Sequence, residues 1–213
     1  MTRVAFLWHM HQPYYEDLVT REHILPWARM HALKDYYGMV ALLQEFPGVR
    51  VTFNLVPSLL VQLEAFAAGR AYDRYLELGL TPAADLTEPD RIFIAQHFFH
   101  AQRARMIDVY PRYAELLARR GPLHTAADAR AAARRFSIDD LRDLQVWQKL
   151  AWLDPGYLEQ DGRVRHLVSK GRDFSEDDKT ELRAIELELL NLVIPTCRDA
   201  AGTGQIELST SPF

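Results

Sequence analysis

An α/β fold is predicted by three observations: a short continuous apolar run near the N-terminus, a second short alternating run after it, and an amphipathic helical pattern between them. Strand, helix, strand, helix with short connections is the order of a parallel sheet with right-handed crossovers. The chain has 213 residues, 48% of them hydrophobic, so it can bury a real core, and its length fits one domain or a domain plus an insertion.

The run Val4-Ala5-Phe6-Leu7-Trp8 is bounded by polar residues and Pro13. Continuity of this kind predicts a strand buried on both faces. From Trp27 to Phe46, Met30, Leu33, Tyr37 and Val40 recur at helical spacing, and Pro47-Gly48 stops the pattern. Val49 to Leu55 then alternates, with Val51 and Phe53 set against Thr52 and Asn54, and Pro57-Ser58 opens a second helix through Ala68 to Gly69.

Residues 72–201 read differently. Helical periodicity dominates, with capping signals at Thr87, Ser137 and Ser175, and no strand alternation stands out. This stretch is expected to be a mainly helical insertion between the second and third strands. Within it Phe93, Phe98, Phe99, Tyr110, Tyr113, Trp147 and Trp152 sit at helical spacing, which favours core over sugar-stacking platforms. Asp154-Pro155-Gly156 and Gln160-Asp161-Gly162 read as turns. The last helix is expected from about Glu176 to Asp199, kinked or ended by Pro195, before a short alternating strand at Gln205-Ile206-Glu207-Leu208.

The formal charge of −4 and the pI of 6.1 give no electrostatic reason to approach nucleic acid. The densest basic run, Arg130 with Arg134 and Arg135, reads as a solvated helix face. A single cysteine, Cys197, allows no internal disulfide and suits a reducing compartment. Its place at the end of an apolar helical pattern favours packing over thiol chemistry. The N-terminal apolar run is too short for a signal peptide or a membrane span, so a cytoplasmic protein is expected.

His9 and His11 follow the first apolar run, and the strand period of two sends both imidazoles to one side. Ligands of α/β folds bind beyond the carboxyl ends of parallel strands, where this pair stands. Glu207 alternates with Ile206 and Leu208, so its carboxylate is expected to face away from the helices, where it needs a partner or a ligand. Asn54 holds an equivalent strand-end position with a weaker signal. A His-x-His pair suits two chemistries. One is zinc ligation in a metal-dependent hydrolase, which needs further ligands from later strands, and none of the other histidines follows a strand. The other is hydrogen bonding to sugar hydroxyls, for which Trp8, Tyr14 and Tyr15 lie alongside.

Trp8-His9-Met10-His11-Gln12-Pro13-Tyr14-Tyr15 resembles the first signature region of glycoside hydrolase family 57, and Gly204-Gln205-Ile206-Glu207-Leu208 resembles the second. Trp27 with His31, Lys34, Asp35 and Tyr36, and the segment Thr52 to Ser58, are similar to stretches of amylase-like and amylopullulanase-like members. The resemblance implies a partial (β/α)7 barrel over residues 1–213, a retaining mechanism on α-glucans such as maltooligosaccharides, by hydrolysis or glucan transfer, and no obligatory cofactor or metal. It also implies that His9, His11 and Glu207 contact the sugar near the cleavage point. No part of the chain matches the family's nucleophilic Glu or its acid/base Asp, which are expected beyond Phe213. Three strands cannot close a barrel, so the chain is expected to be incomplete and inactive alone. The rival expectations are a metal-dependent hydrolase built on His9 and His11, and a non-catalytic glucan-binding module.

Overall fold

The computed structural model describes residues 4–212. Its architecture is mixed α/β: among the described residues, eleven α-helices and a three-stranded parallel sheet. The chain divides into two compact units, residues 1–74 with 185–213, and residues 75–184.

The first unit contains the sheet. Strands β1 (Leu7–Met10), β2 (Val51–Leu55) and β3 (Ile206–Ser209) lie in the order β1-β2-β3, all parallel. The register aligns Leu7, Thr52 and Glu207 in one row and His9, Asn54 and Ser209 in another. Since side chains alternate along a strand, these six share one face. Met10, Val51, Phe53 and Ile206 share the other and are buried.

β1 departs from expectation twice. It begins later than the apolar run, so His9 lies within the strand rather than after it. The run is not buried on both faces either: Leu7 is 63% and Trp8 50% exposed. β1 is an edge of the sheet, paired on one side by β2, and an apolar run alone does not distinguish an edge strand from a central one.

The predicted first helix runs from Trp27 to Glu45, but not uniformly. A π-turn at Ala32–Tyr36 separates two α-helical segments, and the last turn tightens to 3-10 geometry. The helix Pro57–Ala67 follows β2 directly, with Pro57 in the first turn, where its missing N–H costs nothing. Ala28, Met30, Leu33, Leu59, Phe66 and Leu189 form the fully buried centre of this unit. Beneath them Arg29 makes a two-point ion pair with Asp73, Nε to Oδ2 at 2.7 Å and Nη2 to Oδ1 at 3.0 Å, with Glu186 3.5 Å away.

The second unit is helical. Capping boxes close reciprocally at Thr87 with Asp90, Thr125 with Asp128, and Ser137 with Asp140. Ser175 and Asp178 exchange the same two bonds at the start of the helix Glu176–Gly202. The Asp at the third helical position is shorter than Glu, yet it reaches the cap N–H in each case. The two expected turns are instead helix starts: Asp154 caps Pro155–Gln160, and Asp161 caps Gly162–Lys170. An Asp before Pro or Gly serves turns and N-caps equally, and here the following residues stay helical. Pro195 neither ends nor replaces its helix, which continues through it to Gly202.

Most of the aromatic residues flagged in this region are core: Phe98, Phe99, Tyr113, Trp147 and Trp152 are buried. Tyr113 is fully enclosed, and burial pushes its phenol well above the usual range. Arg112 is held by Asp143 at 2.7 Å and Asp140 at 2.8 Å. Among the described residues no helix is long and apolar enough to cross a membrane.

Candidate functional site

The open face of the sheet carries polar groups in a band across all three strands. His9 Nδ1 lies 2.7 Å from Asn54 Oδ1. The Asn54 amide donates to Ser209 Oγ at 3.1 Å, and Ser211 Oγ donates back to Asn54 Oδ1 at 3.1 Å. An Oδ1 that accepts requires the proton on Nδ1, so a neutral His9 ring presents Nε2 as an acceptor. The parallel register produces this network: it places the imidazole, the amide and the hydroxyl in one row.

His11 follows Met10, and its ring stacks on His9 with centroids 5.5 Å apart and planes 19° apart. The segment after β1 is fixed by side chains far along the chain. Ser58 Oγ donates to the Gln12 carbonyl at 2.9 Å, and the buried Gln62 accepts from Tyr15 N–H at 3.0 Å and donates to the Pro13 carbonyl at 2.9 Å. The Gln12 side chain donates to Tyr36 Oη and accepts from Tyr15 Oη. Burial raises the pKa of both phenols, so Tyr15 donates and Tyr36 accepts as protonated hydroxyls. The π-turn that carries Tyr36 also brings His31 Nδ1 to within 2.6 Å of Asp35. Burial pushes the Asp35 carboxyl up, but hydrogen bonds from His31 and Lys34 outweigh it and hold the pKa below the usual value.

Glu207 shares the face of His9 but not its row. It stands level with Leu7 and Thr52, and Thr52 Oγ1 donates to its carboxylate at 3.3 Å. Two inter-strand spacings and two residues of rise set the His9 and Glu207 backbones roughly 12 Å apart. Glu207 also lines a hollow of about 330 Å³, together with Phe6, Arg50, Val51 and Gln205, toward the start of the strands. The row at the strand ends is therefore His9, Asn54 and Ser209. Of these, Ser209 gave no sequence signal, and Asn54 gave a weak one; a correct strand register would have found both.

Among the described residues no three His, Cys, Asp or Glu side chains gather as a metal site. Cys197 is buried, and burial pushes its thiol up to about 11, away from thiolate chemistry. What the face offers, among the described strand residues, is a set of hydrogen-bonding side chains with one carboxylate.

Those parts suit a polyhydroxylated ligand, and comparison with known families agrees. The chain matches the glycosyl hydrolase family 57 model over residues 5–213 and belongs to that family. Membership implies glycoside hydrolase or transglycosylase activity and a carbohydrate substrate. No curated protein and no solved structure matches the chain.

Proposed function

We propose that this protein is the α-glucan-binding part of a retaining enzyme acting on α-1,4 or α-1,6 glucosidic bonds, with the amylase-like and glucanotransferase-like branches of the family as the nearest readings. The three strands are read as part of a (β/α)7 barrel whose interior is the polar face, and residues 72–201 as a helical insertion between its second and third strands. The single cysteine, which suits a reducing compartment, favours a cytoplasmic setting.

In this reading the Nε2 of His9 accepts a hydrogen bond from a sugar hydroxyl, His11 extends the same surface, and the Glu207 carboxylate accepts a hydroxyl or stabilises positive charge that develops on the sugar ring. The observation that carries it is the His9–Asn54–Ser209 network, which fixes the imidazole tautomer before any ligand arrives. A double displacement needs two carboxyl groups about 5 Å apart. Glu207 is the sole carboxylate among the described strand residues, so the 213-residue chain is expected to bind glucan without cleaving it.

Calorimetry with maltohexaose, paired with reducing-sugar release, tests both halves. Binding that His9→Ala weakens about tenfold supports the site. Unchanged affinity in His9→Ala and His11→Ala would remove the imidazoles from it, and steady release of reducing ends would show that the strand face is not the whole machinery.

A further inference from the structure

The unit of residues 75–184 contains a cleft of about 470 Å³, within the size range of small-molecule sites. Its organising feature is Tyr110, whose ring packs on Trp147 with centroids 4.6 Å apart and planes 31° apart. Trp147 is buried, and its indole N–H donates to the Gly171 carbonyl at 2.9 Å. Gly171 ends the helix Gly162–Lys170 with φ at 72°, a backbone that suits glycine and turns its carbonyl toward the indole. The phenol ring is thus braced from behind by groups that are themselves fixed. Most aromatic residues of this unit lie in the core; Tyr110 is only partly covered.

The polar groups around that ring are of two kinds. Arg112 is spent on Asp140, Asp143 and Glu115, and Lys170 on Asp178 at 2.5 Å. Arg172 has only loose ion contacts, 3.5 Å to Glu115 and 4.0 Å to Asp173. Every lining cation therefore faces a carboxylate, and no net positive charge is left for a phosphate. The other kind is unused. Among the described residues, the Tyr110 hydroxyl and the Ser169 hydroxyl make no hydrogen bond, the Glu115 Oε2 has only the long contact with Arg172, and the Arg172 guanidinium has only its two loose contacts. Two free hydroxyls, a loosely held carboxylate oxygen and a guanidinium provide both donors and acceptors, and Val109, Pro111 and Val168 supply apolar surface.

We infer that this cleft is a second saccharide site, which takes a neutral oligosaccharide with one sugar ring against Tyr110 and adjacent hydroxyls on Glu115 and Arg172. The choice of an α-glucan rests on the function proposed above, while the cleft itself does not depend on whether His9 and Glu207 contact sugar. Its role is that of a holding site, keeping a polymeric substrate on the protein by a contact that takes no part in bond cleavage.

The chain has four tryptophans, at positions 8, 27, 147 and 152, so its indole N–H resonances form a small set that single Trp→Phe substitutions assign. Titration of the full chain with maltohexaose is expected to shift the Trp147 resonance saturably. Tyr110→Ala and Arg172→Ala are each expected to weaken the affinity read there by about tenfold, and His9→Ala to leave it unchanged. Arg172 is a surface side chain, so its variant keeps the test valid even if Tyr110→Ala loosens the packing on Trp147. The His9 ring proton resonances, assigned with His9→Ala, report the strand face separately, so either site can fail alone. No shift at Trp147 with millimolar sugar, or the same affinity in both cleft variants, overturns the inference. Inorganic phosphate shifting Trp147 where maltohexaose does not overturns the neutral ligand class.

Discussion

Asn54 grips the His9 ring through Oδ1 at 2.7 Å while its amide nitrogen is committed to Ser209, so the amide has no freedom to rotate and the imidazole little freedom to change tautomer. In Asn54→Ala the ring loses its fixed acceptor. Imidazole nitrogen shifts are expected to move from a dominant Nδ1–H form toward a mixture, maltohexaose affinity to drop about tenfold, and stability to fall by about 1–3 kcal/mol for the lost hydrogen bonds. A tautomer ratio that does not change in Asn54→Ala would show that Asn54 does not position the ring.

Glu207 contributes little to the fold. It is exposed, and its one side-chain partner is Thr52 at 3.3 Å. Glu207→Gln is therefore expected to leave the unfolding midpoint where it is and to weaken glucan binding about tenfold, as loss of a charged acceptor does. Calorimetry on the same preparation used for thermal unfolding separates the two effects. Equal binding by Glu207→Gln and the unaltered chain would leave the carboxylate outside the sugar site.

Arg29 and Asp73 are a different case, because both are buried and Arg29 stays charged. Removing one partner strands the other in a poorly solvating interior, at a cost of about 3–5 kcal/mol. Asp73→Ala should lower the urea midpoint accordingly. Arg29→Met should lower it further, since it takes the cation from Glu186 as well as from Asp73. A loss under 1 kcal/mol in both variants, about what a surface pair gives, would mean that the pair is hydrated in solution.

What the sequence revealed and what it concealed follow the range of the forces involved. Local patterns were legible: the three strands, the helix opened by Pro57, and the caps at Thr87, Ser137 and Ser175 depend on residues within a turn of one another. The exposure of β1 was not, because burial depends on what packs against a strand, and Leu7 and Trp8 are as apolar as any core residue. The site was half legible. A period of two puts His9 and Glu207 on a common face, but only the register shows that Asn54 and Ser209 complete the row of His9, while Glu207 lies one step behind. Gln62, which clamps Tyr15 and Pro13, sits on a helix distant in sequence, and no local rule marks it.

His23 gives the protein an acid-sensitive point that the charge count does not show. Its ring is 2% exposed, packs on Phe66 at 4.6 Å, and has no hydrogen-bond partner at either nitrogen. Loss of solvation lowers its pKa, and the nearby charges of Glu16 and Asp73, which act in the opposite sense, do not restore it. The folded state therefore binds the proton more weakly than the unfolded chain does. As pH falls below about 6.5, the ordinary histidine value, the unfolded state takes up protons that the folded state refuses, and stability declines until the depressed pKa is passed. His97 and His100 are lowered by burial in the same direction and add to the slope. The carboxylates held low, such as Asp161 at about 2, titrate in more acidic solution. His23→Phe replaces two unsatisfied nitrogens with apolar surface. It is expected to raise stability at pH 7.5 by about 1–2 kcal/mol and to reduce the loss between pH 7.5 and 5.5. Urea unfolding at the two pH values measures both quantities, and parallel losses in the two proteins would show that His23 is already satisfied by water in solution.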